Sequence, residues 1–99
     1  YDPEEAMANA DVVCTDTWVS MGQEDEKAER VKIFRDYQIN GALFAKSKED
    51  SIFIHCLPAY RGYEVTDDVI DGPRSVIFDE AENRLHAQKA VMAAVMGKV

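Results

Sequence analysis

Ser51-Ile52-Phe53-Ile54-His55-Cys56-Leu57-Pro58 is the stretch that decides the fold. From Ser51 to Cys56 it is a short, continuous apolar and β-branched run, the pattern of a strand buried on both faces, as in a parallel sheet. Pro58 breaks it, having no N–H to give to a ladder. Upstream, Val12-Val13-Cys14-Thr15 has the same character, and downstream so does Ser75-Val76-Ile77-Phe78. Three such runs predict three strands.

Helix signals lie between them. Asp2-Pro3-Glu4-Glu5 combines a capping side chain, proline at the first helical position and acids at the positive end of the helix, which predicts a short helix to about Asn9. After the acids Glu24, Asp25 and Glu26, the residues Ala28, Val31, Phe34 and Tyr37 recur at a spacing of three and predict an amphipathic helix. Asn40 caps a shorter one through Leu43, Phe44 and Ala45, and Thr66 caps another over Asp67, Asp68, Val69 and Ile70 that Gly72-Pro73 ends. The Ala-rich stretch from about Glu80 to Met96 predicts a long final helix. Strands alternating with helices define the class as α/β: an incomplete doubly wound, Rossmann-like parallel sheet of about three strands, with flanking helices and a long C-terminal helix.

With 99 residues and 46% hydrophobic content the chain can build one modest core, so residues 1–99 read as a single unit. It opens on Tyr1 rather than Met and enters helix-start chemistry at once, which reads as a piece of a longer protein. A formal charge of −8, from 19 acidic against 11 basic side chains, argues against nucleic acid and anionic membrane as partners. No apolar stretch reaches the roughly 18 residues of a membrane span, and no basic-then-apolar leader is present. Cys14 and Cys56 lie far apart in apolar segments, without the spacing of a zinc ribbon or the density of a disulfide scaffold. Reduced thiols in a cytoplasmic protein are therefore expected.

Open parallel sheets bind ligands beyond the carboxyl ends of their strands, and here those ends carry Asp16, His55-Cys56 and Asp79-Glu80. Each of these residues also has an ordinary reading. Asp16 and Ser20 are common caps, His55 can be a hydrogen-bonded core histidine, Cys56 a small buried hydrophobe, and Arg84 an i,i+4 partner for Glu80. Successive strand side chains point to opposite faces, so His55 and Cys56 cannot both grip one ion. No metal and no cofactor is expected, and no Gly-rich phosphate loop occurs.

Three strings in order tilt the balance toward function: Asp16-Thr17-Trp18-Val19-Ser20-Met21-Gly22, His55-Cys56-Leu57-Pro58-Ala59, and Asp79-Glu80-Ala81-Glu82-Asn83-Arg84-Leu85-His86-Ala87-Gln88. Together they resemble the ornithine-recognition loop, the active-site signature and the final-helix motif of the ornithine carbamoyltransferase family. The first string is unlike that of relatives using aspartate or putrescine. The resemblance implies transfer of a carbamoyl group from carbamoyl phosphate to the side-chain amine of L-ornithine, giving L-citrulline and phosphate. It also implies roles: Asp16 and Ser20 on the α-amino group of ornithine, backbone at Met21 near its carboxylate, Cys56 and the backbone of Leu57 against the side-chain amine. His55 would donate to the carbonyl oxygen of carbamoyl phosphate, and Arg84 would stabilise charge developing there in the tetrahedral transition state. Asp16 would partner Cys56.

The family's Ser-x-Arg-Thr phosphate loop, its His-Pro-x-Gln motif and an upstream Asn have no match in this sequence. Accordingly the chain is expected to be the C-terminal portion of an ornithine-binding domain, inactive alone, ending in the helix that in the family packs back on the carbamoyl phosphate domain. A homo-oligomer is expected of the parent. A second reading stays open, that of a non-catalytic half-domain that self-associates.

Overall fold

A computed structural model describes residues 1–97. Helix α1 (Pro3–Met7) begins where the Asp2 carboxylate accepts the Glu4 N–H at 2.8 Å, and it stops before Asn9, whose φ of 62° lies outside the helical region. Strands β1 (Val12–Thr15) and β2 (Ile52–His55) pair in parallel, with Val12 opposite Ile52, Val13 opposite Phe53, Cys14 opposite Ile54 and Thr15 opposite His55. Parallel neighbours need a crossover rather than a hairpin. This one runs through α2 (Lys27–Phe34), flanked by 3-10 turns at Glu24–Glu26 and Arg35–Tyr37, and then α3 (Gly41–Phe44), capped where Asn40 accepts the Leu43 N–H at 2.9 Å. Two further helices follow β2: α4 (Asp67–Ile70) and α5 (Ile77–Val95).

The core gathers beneath the sheet. Phe53 is wholly buried, with Phe44 edge-on to it at a centroid distance of 6.2 Å, and Val13, Leu43, Val69 and Ile77 close around them. Each such side chain contributes roughly 1.5–3 kcal/mol relative to its exposed state. That packing holds the middle of both strands and leaves their carboxyl ends free to carry polar groups.

The expected third strand over Ser75-Val76-Ile77-Phe78 is corrected to a single parallel bridge, Phe53 to Ser75. Phe53 donates its N–H to the Arg74 carbonyl at 2.9 Å and accepts from Val76 N–H at 3.0 Å, and then the chain turns into α5 at Ile77. Four apolar residues are too few to separate strand from helix by pattern, and the strong helix formers that follow extend their helix back to Ile77. The α/β class with a parallel sheet stands, with two strands and a bridge. The amphipathic helix expected from Glu24 is also shorter than its pattern, and none of the residues of α2 is fully buried. Its apolar side covers little beyond Trp18, with Phe34 stacked on that indole at 6.4 Å.

Candidate active site

The β1 and β2 ends lie side by side because Thr15 and His55 are register partners. The next residue on each chain is therefore also adjacent: the Cys56 thiol donates to Asp16 Oδ1 at 3.3 Å, joining residues 40 apart in sequence. That hydrogen bond, together with burial and the Asp16 and Glu80 charges, pushes the Cys56 thiol above its ordinary pKa. Cys14 is pushed up as well, by burial first and then by Glu80 and Asp16. Two carboxylates thus face two protonated thiols at the carboxyl end of the sheet. Such an acidic cluster favours a cationic or amine ligand over an anion.

His55 stands differently from the expectation. Its ring is buried, with Nδ1 accepting from the Leu57 N–H at 2.9 Å and Nε2 meeting Glu64 Oε1 at 2.8 Å. Since Nδ1 accepts, Nε2 carries the hydrogen and donates the hydrogen bond to Glu64. The ring has no donor left for the carbonyl oxygen of carbamoyl phosphate. What it does instead is hold Leu57, a non-glycine residue at φ 58°, in the left-handed region, where strain persists only if its surroundings enforce it. The turn that follows Cys56 is thereby fixed.

Leaving β1, the 16–22 loop is shaped by its own polar groups. Thr17 N–H donates to Asp16 Oδ1 at 2.7 Å, Thr17 Oγ1 to the Val19 carbonyl at 3.0 Å, and Gly22 N–H to Glu24 Oε1 at 3.2 Å. Gly22, at φ 86°, supplies a conformation that side chains resist. Ser20 and Met21 are exposed, Met21 at 94%, on a cleft of about 80 Å³ walled by Trp18, Lys27, Tyr60, Tyr63 and Glu64. Neither Asp16 nor Cys56 reaches that wall. The structure brings Asp16 and Cys56 together and leaves Ser20 and Met21 on a neighbouring rim.

Arg84 lies exposed on α5 and forms no ion pair among the described residues. Its possible partner Glu80 instead accepts the His55 backbone N–H at 2.8 Å. Glu64 and Glu80 are the site residues that sequence reasoning missed as such. Glu80 was visible as a strand-end carboxylate, whereas nothing in Arg61-Gly62-Tyr63-Glu64-Val65 signals that Glu64 folds back beneath His55. Among the described residues, no group of three or more His, Cys, Asp and Glu side chains converges to hold a metal ion. No helix among them is long and apolar enough to cross a membrane.

Comparison with known proteins adds an independent line. Residues 1–95 match the family described as aspartate/ornithine carbamoyltransferase, Asp/Orn binding domain. The ornithine carbamoyltransferase of Thermococcus kodakarensis is 64% identical over 99 residues, covering 100% of this chain and 31% of its own length. That of Caldicellulosiruptor saccharolyticus is 63% identical over 99 residues, covering 99% of this chain and 32% of its own. Among solved structures, the ornithine carbamoyltransferase from Pyrococcus furiosus superposes with a TM-score of 0.91 at 62% identity, over 100% of this chain and 32% of that one. The chain therefore spans about a third of the length of the relatives it matches.

Proposed function

Because the chain belongs to the aspartate/ornithine carbamoyltransferase family through its Asp/Orn binding domain, we propose that it forms the ornithine half of a carbamoyl-transfer site. In that site the side-chain amine of L-ornithine attacks the carbonyl carbon of carbamoyl phosphate, and the tetrahedral intermediate expels phosphate to leave L-citrulline. The observation that carries this reading is the Asp16–Cys56 pair at the sheet end, at 3.3 Å. An amine with a solution pKa near 10.4, taking lysine as the guide, must shed a proton before it attacks, and a carboxylate hydrogen-bonded to a thiol attracts and orients the cation that must do so.

The roles follow from that centre. Asp16 and Ser20 take the α-amino group, backbone at Met21 lies near the carboxylate, and Cys56 with the backbone of Leu57 borders the side-chain amine. Arg84 supplies the fixed cation for the oxygen on which charge develops. His55 acts from behind, by fixing Leu57. Ser20 and Met21 stand on a rim whose loop must move inward to meet a ligand, as lids over reactive sites commonly do. The carbamoyl phosphate groups would come from the part of the enzyme that this chain does not span, against which α5 would pack, and the parent would be a homo-oligomer. Two free thiols fit a reducing, cytoplasmic setting.

The test is a chimera in which this chain replaces the matching third of the Pyrococcus furiosus enzyme. We expect citrulline from carbamoyl phosphate and L-ornithine, and none above background from the 99-residue chain alone. A chimera that folds and binds carbamoyl phosphate yet makes no citrulline would overturn the proposal. A second reading, that of a non-catalytic half-domain that self-associates, is favoured by one observation: Leu85, Val91, Met92 and Val95 along α5, and Met96 at its C-cap, are each more than half exposed.

A further inference from the structure

Parallel pairing between Phe53 and Ser75 sets up an unmet demand one step further along β2. Phe53 N–H donates to Arg74 O and Val76 N–H donates to Phe53 O, so the next N–H on that edge, that of His55, would take the Val76 carbonyl if the strand ran on. It does not run on. The Val76 carbonyl instead accepts the backbone N–H of Glu80 at 3.0 Å, in the first turn of α5. The side chain of the same Glu80 returns the acceptor that its backbone removed, with Oε2 receiving the His55 N–H at 2.8 Å. One residue thus starts the helix and completes the sheet edge.

We propose that Glu80 is a positioning residue of the amine site, coupling the strand end that carries Cys56 to the helix that carries Arg84. By holding the His55 N–H it fixes the last ladder position before Cys56, and so the approach of the thiol to Asp16. Glu80 and Arg84 are also an i,i+4 pair and share one face of α5, so a carboxylate anchored at the sheet end determines which face of the helix, and therefore which side of Arg84, turns toward the site. What the site binds rests on the ornithine reading; the coupling itself rests only on the hydrogen bonds above. Its charge has a second effect, since Glu80 raises the pKa of both thiols.

Three measurements on E80A and E80Q test this, because glutamine keeps an acceptor oxygen without the charge. In the 99-residue chain, the His55 amide of E80A should exchange with deuterium at least about tenfold faster than in the parent sequence, while E80Q stays within about threefold. Alkylation by iodoacetamide, resolved by peptide mass spectrometry, should speed Cys56 more in E80A than in E80Q, since both variants lose the charge and only E80A loses the acceptor that holds the strand end. In the Pyrococcus furiosus chimera, E80A should raise KM for ornithine about tenfold or more, with E80Q restoring most of the loss. An unchanged His55 exchange rate in E80A would overturn the proposal, as would an E80Q that behaves like E80A in all three assays. If the first two results hold while the unmutated chimera makes no citrulline, the ornithine reading fails and the coupling stands.

Discussion

His55 Nε2 donates to Glu64 Oε1 at 2.8 Å, with both side chains wholly shut off from solvent. The same Glu64 oxygen accepts the Tyr60 N–H at 2.8 Å, so one carboxylate oxygen ties the strand end to the 60–65 segment. Glu64→Ala leaves one buried and one partly buried donor without an acceptor and should destabilise the chain by about 2–4 kcal/mol. Urea denaturation measures it. A loss below about 1 kcal/mol would show that water replaces the carboxylate and that the pair does not hold the turn.

Asp16 is the first cause of the raised Cys56 pKa, so its removal has a definite sign. A thiol whose pKa is raised by folding keeps its proton to higher pH, and Asp16→Asn, which deletes the negative charge, should move the alkylation–pH curve of Cys56 downward. An unchanged curve would mean that the 3.3 Å contact does not persist in solution. In the chimera, Asp16→Ala should lower kcat/KM for ornithine by about 100-fold and leave carbamoyl phosphate affinity nearly intact. Unchanged ornithine affinity would remove Asp16 from the amine site.

Trp18, the sole tryptophan, sits between Phe34 at 6.4 Å and Tyr63 at 6.3 Å, which makes it a local reporter for the 16–22 loop. Tyr63→Ala should shift its emission to the red by opening one side of the indole to water. An ornithine analogue at millimolar concentration should barely change the fluorescence of the 99-residue chain, yet give a saturable change in the chimera once carbamoyl phosphate is bound. A large saturable change in the short chain would reveal a pocket formed without the other half.

Exposed apolar side chains on α5 predict that the short chain self-associates. Leaving an aliphatic side chain in water forgoes about 1.5–3 kcal/mol, and Val91, Met92 and Val95 are neighbours on the helix surface, with Leu85 two turns earlier on the face of Met92. Sedimentation equilibrium should show a concentration-dependent dimer that Met92→Glu weakens. A monomer at high concentration, with α5 fully helical, would contradict this.

Much of the fold, and the placement of the candidate site residues at strand ends, was readable in order along the chain. Val12–Thr15 and Ile52–His55 announce themselves as strands because a strand buried on both faces needs an unbroken apolar run, and the caps at Asp2 and Asn40 are local chemistry that needs no distant partner. The strand ends, and with them Asp16, His55 and Cys56, follow from those runs. Tertiary structure alone decided whatever depends on a neighbour remote in sequence. Ser75–Phe78 is apolar enough for either state, and it was the helix beyond it, whose Glu80 N–H takes the Val76 carbonyl, that turned Ile77 into α5. The His55 ring pairs with Glu64, and Glu80 pairs with the His55 N–H rather than with Arg84, because a buried or half-buried hydrogen-bonding group takes whatever partner the packing delivers. Periodicity and capping are written in adjacent residues, whereas the satisfaction of polar groups is settled only when distant segments meet.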